Sequence, residues 1–125
     1  MIGRLHHVVL DGPDPDALAA FYSGLLGLPV TYRSRDWVVV SVDQETSGLA
    51  FQRAPDQRPA TWPAPEVPQQ LHLDVMVEDV PEAVAAAVAL GARVLDGDVL
   101  ADPAGHPFCL VRRPGWAPPL AEDVR

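Results

Sequence analysis

The chain has 125 residues, 48% of them apolar and 21% charged, which suits one globular domain and excludes a disordered chain. Seventeen acids against nine arginines, with no lysine, give a net charge of −8 and no basic run, so a phosphate-backbone partner is not expected. No apolar stretch approaches the roughly 20 residues that cross a bilayer, no leader is visible at the N-terminus, and one cysteine cannot form an internal disulfide; a cytoplasmic protein with neither nucleic acid nor membrane as partner is expected.

The first predicted strand runs through "HVVLDGPD" (7–14), and Asp14 followed by Pro15 is a helix start. The helix is predicted over 15–26, with Leu18, Phe21, Tyr22 and Leu25 on one stripe and Gly27 as its C-terminal cap. Three β-rich runs follow, "PVTYR", "DWVVVSV" and "GLAFQR", and then a proline-rich stretch over 55–68. A second strand–helix pair begins at "HLDVMVED" (72–79), where Asp79 caps a helix over 80–90 whose expected stripe is Val84, Ala87, Val88 and Leu90, ending at Gly91. The runs "ARVLD", "DVLAD" and "HPFCLVRR" complete it, with Asp102, Pro103 and Gly105 set for a type I turn into the last strand. In each half an aspartate follows the histidine by seven residues, and the halves close alike on "RAP" and "RRP". The reading is one domain of two repeated modules: module one 4–54, a proline-rich linker 55–68, module two 69–113 and a tail 114–125.

Through "LHHVVLDGPDPDALAAFYSGLLGLPV", "QLHLDVMVEDVPEA", "LGARVLDG" and "DPAGHPFCL", residues 5–113 resemble the vicinal oxygen chelate superfamily. That group holds glyoxalases, bleomycin-resistance proteins and extradiol dioxygenases, and the chain looks most like its glyoxalase-like branch. The resemblance implies an α+β fold of two βαβββ modules forming an open curved β-barrel with helices outside, a cavity for a small-molecule ligand, and a homodimer. In metal-using members the ligands come from the first and last strand of each module, as His or Gln, Glu, His and Glu. Those positions fall here on His7, about Ala50, His72 and Cys109, so two histidines are kept and both carboxylates are lost.

Strand alternation adds its own expectation. Leu71, Leu73, Val75 and Val77 form an apolar face, which leaves His72, Asp74 and Met76 on the other. By the same parity His7, Ala50, Gln52 and Cys109 face a cleft, with Trp37, Val39 and Ser41, while the valines at 38, 40 and 42 read as core. The candidate ligand-binding residues are therefore His7, Trp37, Ser41, Gln52, Trp62, His72, Asp74 and Cys109. For metal, His7, His72 and Cys109 make a His₂Cys set that suits zinc; Asp74 is either the carboxylate of a two-histidine set or a support for His72. With no cation beside it, Cys109 reads rather as a small buried apolar group, His106 as a surface residue or turn support, His6 as a packing or surface residue, and Trp62 as an anchor for the crossover or a wall of the cleft.

No nucleophilic triad and no glycine-rich phosphate loop is present. Two functions stand out: a small-molecule binder with an incomplete metal site, sequestering a drug or metabolite, and a lyase, isomerase or dioxygenase using one divalent metal (zinc, iron, manganese or nickel) held by His7 and His72. The lost carboxylates favour the binder, and whether the protein is an enzyme stays open. A module serving a protein partner has no feature behind it.

Overall fold

The capping signals read from the sequence operate at both helices. The computed structural model describes residues 1–120 of the chain, and these fall into two compact units, one ending at Gln57 and one starting at Arg58. Residues 121–125 of the predicted tail lie outside the described residues.

In the first unit, strand β1 (His7–Gly12) leads to Asp14, whose carboxylate accepts the Ala17 N–H at 3.1 Å and caps helix α1 (Pro15–Leu26). Gly27 ends the helix in the left-handed region at φ 68°, where a side chain would strain the backbone. Strands β2 (Val30–Arg33), β3 (Trp37–Val40) and β4 (Gly48–Arg53) follow, and the sheet order is β1-β4-β3-β2 with β1 parallel to β4. Register sets the two faces. Val8, Leu49 and Val40, then Leu10, Phe51 and Val38, lie side by side toward α1. There they meet the buried stripe of Leu18, Phe21 and Tyr22, with the Tyr22 and Phe51 rings stacked at 5.5 Å. The other face carries His7 and Val9 on β1, Ala50 and Gln52 on β4, and Trp37 and Val39 on β3, as alternation expects. Val42, expected in the core, is 64% exposed. β3 stops at Val40, and Asp43 turns the chain outward by accepting the Glu45 and Thr46 N–H groups.

The second unit repeats the plan. Strand β5 (Leu73–Val77) leads to Asp79, which accepts the Glu82 N–H at 3.0 Å and caps α2 (Val80–Leu90); Gly91 closes the helix. Strands β6 (Arg93–Asp96), β7 (Val99–Ala101) and β8 (Pro107–Arg112) give the order β5-β8-β7-β6, again with the first and last strands of the module parallel. Leu100, Phe108 and Leu110 are fully buried on one face, while Asp74 pairs with Cys109, and Cys109 with Val99, on the other. Two expectations fail here. Leu71 precedes β5 and is 50% exposed, so the apolar face starts at Leu73. Val88 and Leu90 are 45% and 44% exposed, and Ala87 is the one fully buried residue of α2. At about 100° per residue, Val88 and Leu90 fall on opposite flanks of the stripe through Val80, Ala83, Val84 and Ala87, and alanines there leave little bulk to cover them.

The predicted turn forms. The Gly105 N–H reaches the Asp102 carbonyl at 2.9 Å, and the buried Asp102 carboxylate accepts the N–H groups of Ala104 and His106 at 2.9 and 3.0 Å. His106 Nδ1 lies 2.7 Å from the second carboxylate oxygen, so this histidine supports the turn. The proline-rich stretch is itself folded around Thr61, whose hydroxyl donates to Ala64 and accepts the Val67 N–H. Trp62 is half-buried within that loop. The architecture is thus α+β, two βαβββ modules with one helix packed on each four-stranded sheet.

Candidate functional site

The first sheet's face away from α1 carries a cavity of about 510 Å³. Its floor is Trp37, Val39 and Ser41 from β3 and its continuation, with Thr31 and Tyr32 from β2. His6 and His7 at the start of β1 form one wall, and Asp43 and Gln44 the rim. Of the expected ligand-binding residues, His7, Trp37 and Ser41 line this cavity, whereas Gln52 shares the sheet face but lies outside it. Sequence parity missed Thr31 and Tyr32, because the irregular pairing between Val30 and Tyr32 shifts the β2 register. It also missed Asp43 and Gln44, which sit past the strand end where no periodicity operates.

Hydrogen positions in the cavity follow from the partners. Ser41 Oγ donates to the Asp43 carbonyl at 2.6 Å, and it lies 2.7 Å from Thr31 Oγ1. With the Ser41 proton committed to a carbonyl, which only accepts, Thr31 must donate to Ser41. Ser41, 1% exposed, is therefore a fixed part of the floor rather than a free donor, and Thr31 keeps acceptor capacity. The Gly48 N–H donates to His7 Nδ1 at 3.1 Å. Burial, and then the neighbouring His6 ring 3.9 Å away, hold the His7 pKa below its usual value. Asp43 is held low by its hydrogen bonds from Thr46 and Glu45, so a carboxylate stands at the rim.

The second unit gathers a different set. His72, Asp74 and Cys109 each point a donor atom to one place, all within 4.8 Å of one another, and His72 Nε2 lies 3.3 Å from Asp74 Oδ1. Asp74 and Cys109 are direct cross-strand partners in the parallel β5–β8 pair, so they share a face by register. Burial raises the Cys109 thiol above its usual range, and the charges of Asp74 and Asp98 and a hydrogen bond to Asp74 add to that. An uncharged thiol is therefore its resting state, and a cation beside it would reverse the balance.

The four ligand positions implied by the resemblance do not fit a metal as one set. Ala50 has no donor, and the His7 Nδ1 lone pair is taken by Gly48. The trio in the second unit does offer nitrogen, oxygen and sulfur donors of the kind zinc takes. Trp62 belongs to neither group of residues.

Residues 7–111 match the family model for a glyoxalase-like domain. Among solved structures, an enzyme of the glyoxalase/bleomycin resistance protein/dioxygenase family from Burkholderia phytofirmans is 19% identical with a TM-score of 0.68, over 88% of this chain and 98% of that one. A glyoxalase-related enzyme from Fulvimarina pelagi is 21% identical with a TM-score of 0.64, over 98% and 95%. The fosfomycin resistance protein FosX from Listeria monocytogenes is 18% identical with a TM-score of 0.64, over 91% and 94%. At these identities the likeness speaks for the fold. No curated protein matches the chain.

Proposed function

The chain belongs to the glyoxalase-like domain family, and on that footing we propose that it binds a small organic molecule in the cavity on its first sheet. The observation that carries this is the cavity itself. At about 510 Å³ it lies within the range of small-molecule sites, with an aromatic and aliphatic floor of Tyr32, Trp37 and Val39 and a few polar groups at fixed positions. Fold alone would not decide the matter. A fragment library of aromatic carbonyl and heteroaromatic compounds, followed by ¹H–¹⁵N NMR, tests it. Binders are expected to move the Thr31, Val39 and Trp37 indole signals, and Trp37→Ala should weaken them roughly tenfold, the loss expected for an aromatic anchor. Binders that move none of these signals would end the reading.

A second reading rests on the trio in the other unit. His72, Asp74 and Cys109 would hold a divalent ion such as zinc, whose open positions would let it polarise an oxygen of a bound substrate, the chemistry of a lyase, isomerase or dioxygenase. Cobalt(II) titration reads this directly. A sulfur-to-cobalt absorption band that disappears in Cys109→Ser and weakens in Asp74→Asn supports it, and no band at any loading removes it. The homodimer implied by the resemblance is supported by the exposed apolar side chains of Val88, Leu90 and Val94 in the second unit. Sedimentation showing monomer alone at high protein concentration removes that expectation.

A further inference from the structure

The two nitrogens of His7 are not equivalent, and the difference says what kind of group the cavity holds. The backbone N–H of Gly48 points at Nδ1 from 3.1 Å, in the geometry of a donor meeting a lone pair. A nitrogen that accepts cannot carry a proton, so in the neutral ring the proton sits on Nε2. A protonated ring would bring an N–H at Nδ1 against the Gly48 N–H, donor against donor. A ring that ligates a metal through Nε2 needs its proton on Nδ1 and meets the same clash. Gly48 cannot step aside easily: it is the direct cross-strand partner of His7, and it packs against the Val40 carbonyl so closely that a β-carbon would not fit.

We infer that His7 serves the cavity as a hydrogen-bond donor through Nε2–H, not as a metal ligand, and that the ligand presents to it an uncharged oxygen acceptor of the carbonyl type on an apolar or aromatic body. This rests on the cavity being the ligand site. The rest of the lining agrees. Tyr32, Trp37 and Val39 supply the apolar surface, the Ser41 proton is committed elsewhere, and no Lys or Arg among the described residues lines the cavity. The Asp43 carboxylate at the rim opposes an anionic ligand. The lowered pKa of His7 accords with a neutral donor.

The test has two arms on the full-length protein. Long-range ¹H–¹⁵N correlation of the histidine rings, assigned with His7→Gln, should show His7 at neutral pH as the neutral tautomer protonated at Nε2, unmoved by added zinc. A His7 ring protonated at Nδ1 or at both nitrogens, or one whose nitrogen signals shift with zinc, overturns the inference. The second arm compares acetophenone with α-methylstyrene, which has the same shape but no acceptor. Acetophenone is expected to bind about 2- to 12-fold more tightly, the span of one neutral hydrogen bond, to shift the His7 Nε2 signal, and to lose its advantage in His7→Phe while keeping most of it in His7→Gln. Equal binding of both in the cavity leaves the site standing and overturns the inference. Failure of both to move any cavity signal overturns the inference, and silence across the whole fragment library takes the site reading with it.

Discussion

A β-carbon added at Gly48 would fall inside the contact distance of the Val40 carbonyl oxygen and 2.6 Å from Ser41 Cβ. Neither neighbour can retreat, because one is strand backbone and the other is fixed by its bonds to Thr31 and Asp43. Gly48→Ala is therefore expected to cost about 1–3 kcal/mol, as overpacking does elsewhere. It should also free His7 from its fixed tautomer, visible as a change in its ring nitrogen signals; a denaturation midpoint equal to that of the unaltered protein would contradict the argument. Cys109 makes the opposite case, a residue defined by charge. Burial, then the acids Asp74 and Asp98, raise its pKa, so less thiolate is present at neutral pH than an ordinary thiol would give. Alkylation by iodoacetamide should be slower than for a free thiol peptide at pH 7 and should rise only at pH above the ordinary thiol range. Asp74→Asn removes a negative charge and so lowers the pKa, which should speed the reaction several-fold at pH 7; an unchanged or slower rate would show that Asp74 does not govern the thiol.

Among the elements, the turn before β8 is fixed by one side chain. Asp102, whose side chain is fully buried, accepts two backbone N–H groups and pairs with His106. Asp102→Ala leaves those donors buried without their acceptor and is expected to cost about 3 kcal/mol, whereas Asp14→Ala at the exposed cap of α1 should cost only about 1 kcal/mol. Equal losses in urea unfolding would refute this ranking. Both aspartates could be read in the sequence, since caps and turns are local devices written within four residues. The same holds for Gly27, Gly91 and the alternation that set His7, Trp37 and Val39 on one sheet face. What could not be read depends on partners far along the chain. The β2 register that brings in Thr31 and Tyr32, and the Gly48 bond that sets the His7 proton, each involve pairings between strands. The thin burial of α2 was hidden for a related reason: Val88 and Leu90 are as apolar as core residues, and only the width of the sheet contact decides that they stay outside it.

For the molecule as a whole, the excess of 17 acids over nine arginines sets a field that any charged ligand must cross. The two histidines at matching places in the repeat part company: His7 belongs to a cavity wall in the first unit, and His72 to the trio with Asp74 and Cys109 in the second. The landmarks announced the repeat but not this difference between the modules, which lies in single residues such as Ala50 on β4 and Cys109 on β8. Among the described residues the cavity lining carries the Asp43 carboxylate and no Lys or Arg, so local and global electrostatics act in the same direction. An aromatic ketone bearing an ammonium group should then associate faster than its carboxylate counterpart, by about tenfold at low salt, near the low end of steering effects. Raising the ionic strength toward the physiological range, where the screening length is about 8 Å, should slow the cation, speed the anion and bring the two rates together. Stopped-flow tryptophan fluorescence with 4-(aminomethyl)acetophenone and 4-acetylbenzoate measures both. Rates that do not respond to salt would mean that the surface charge does not reach the cavity. Faster entry of the carboxylate would mean that an arginine outside the lining outweighs Asp43, and it would redirect the search toward anionic ligands.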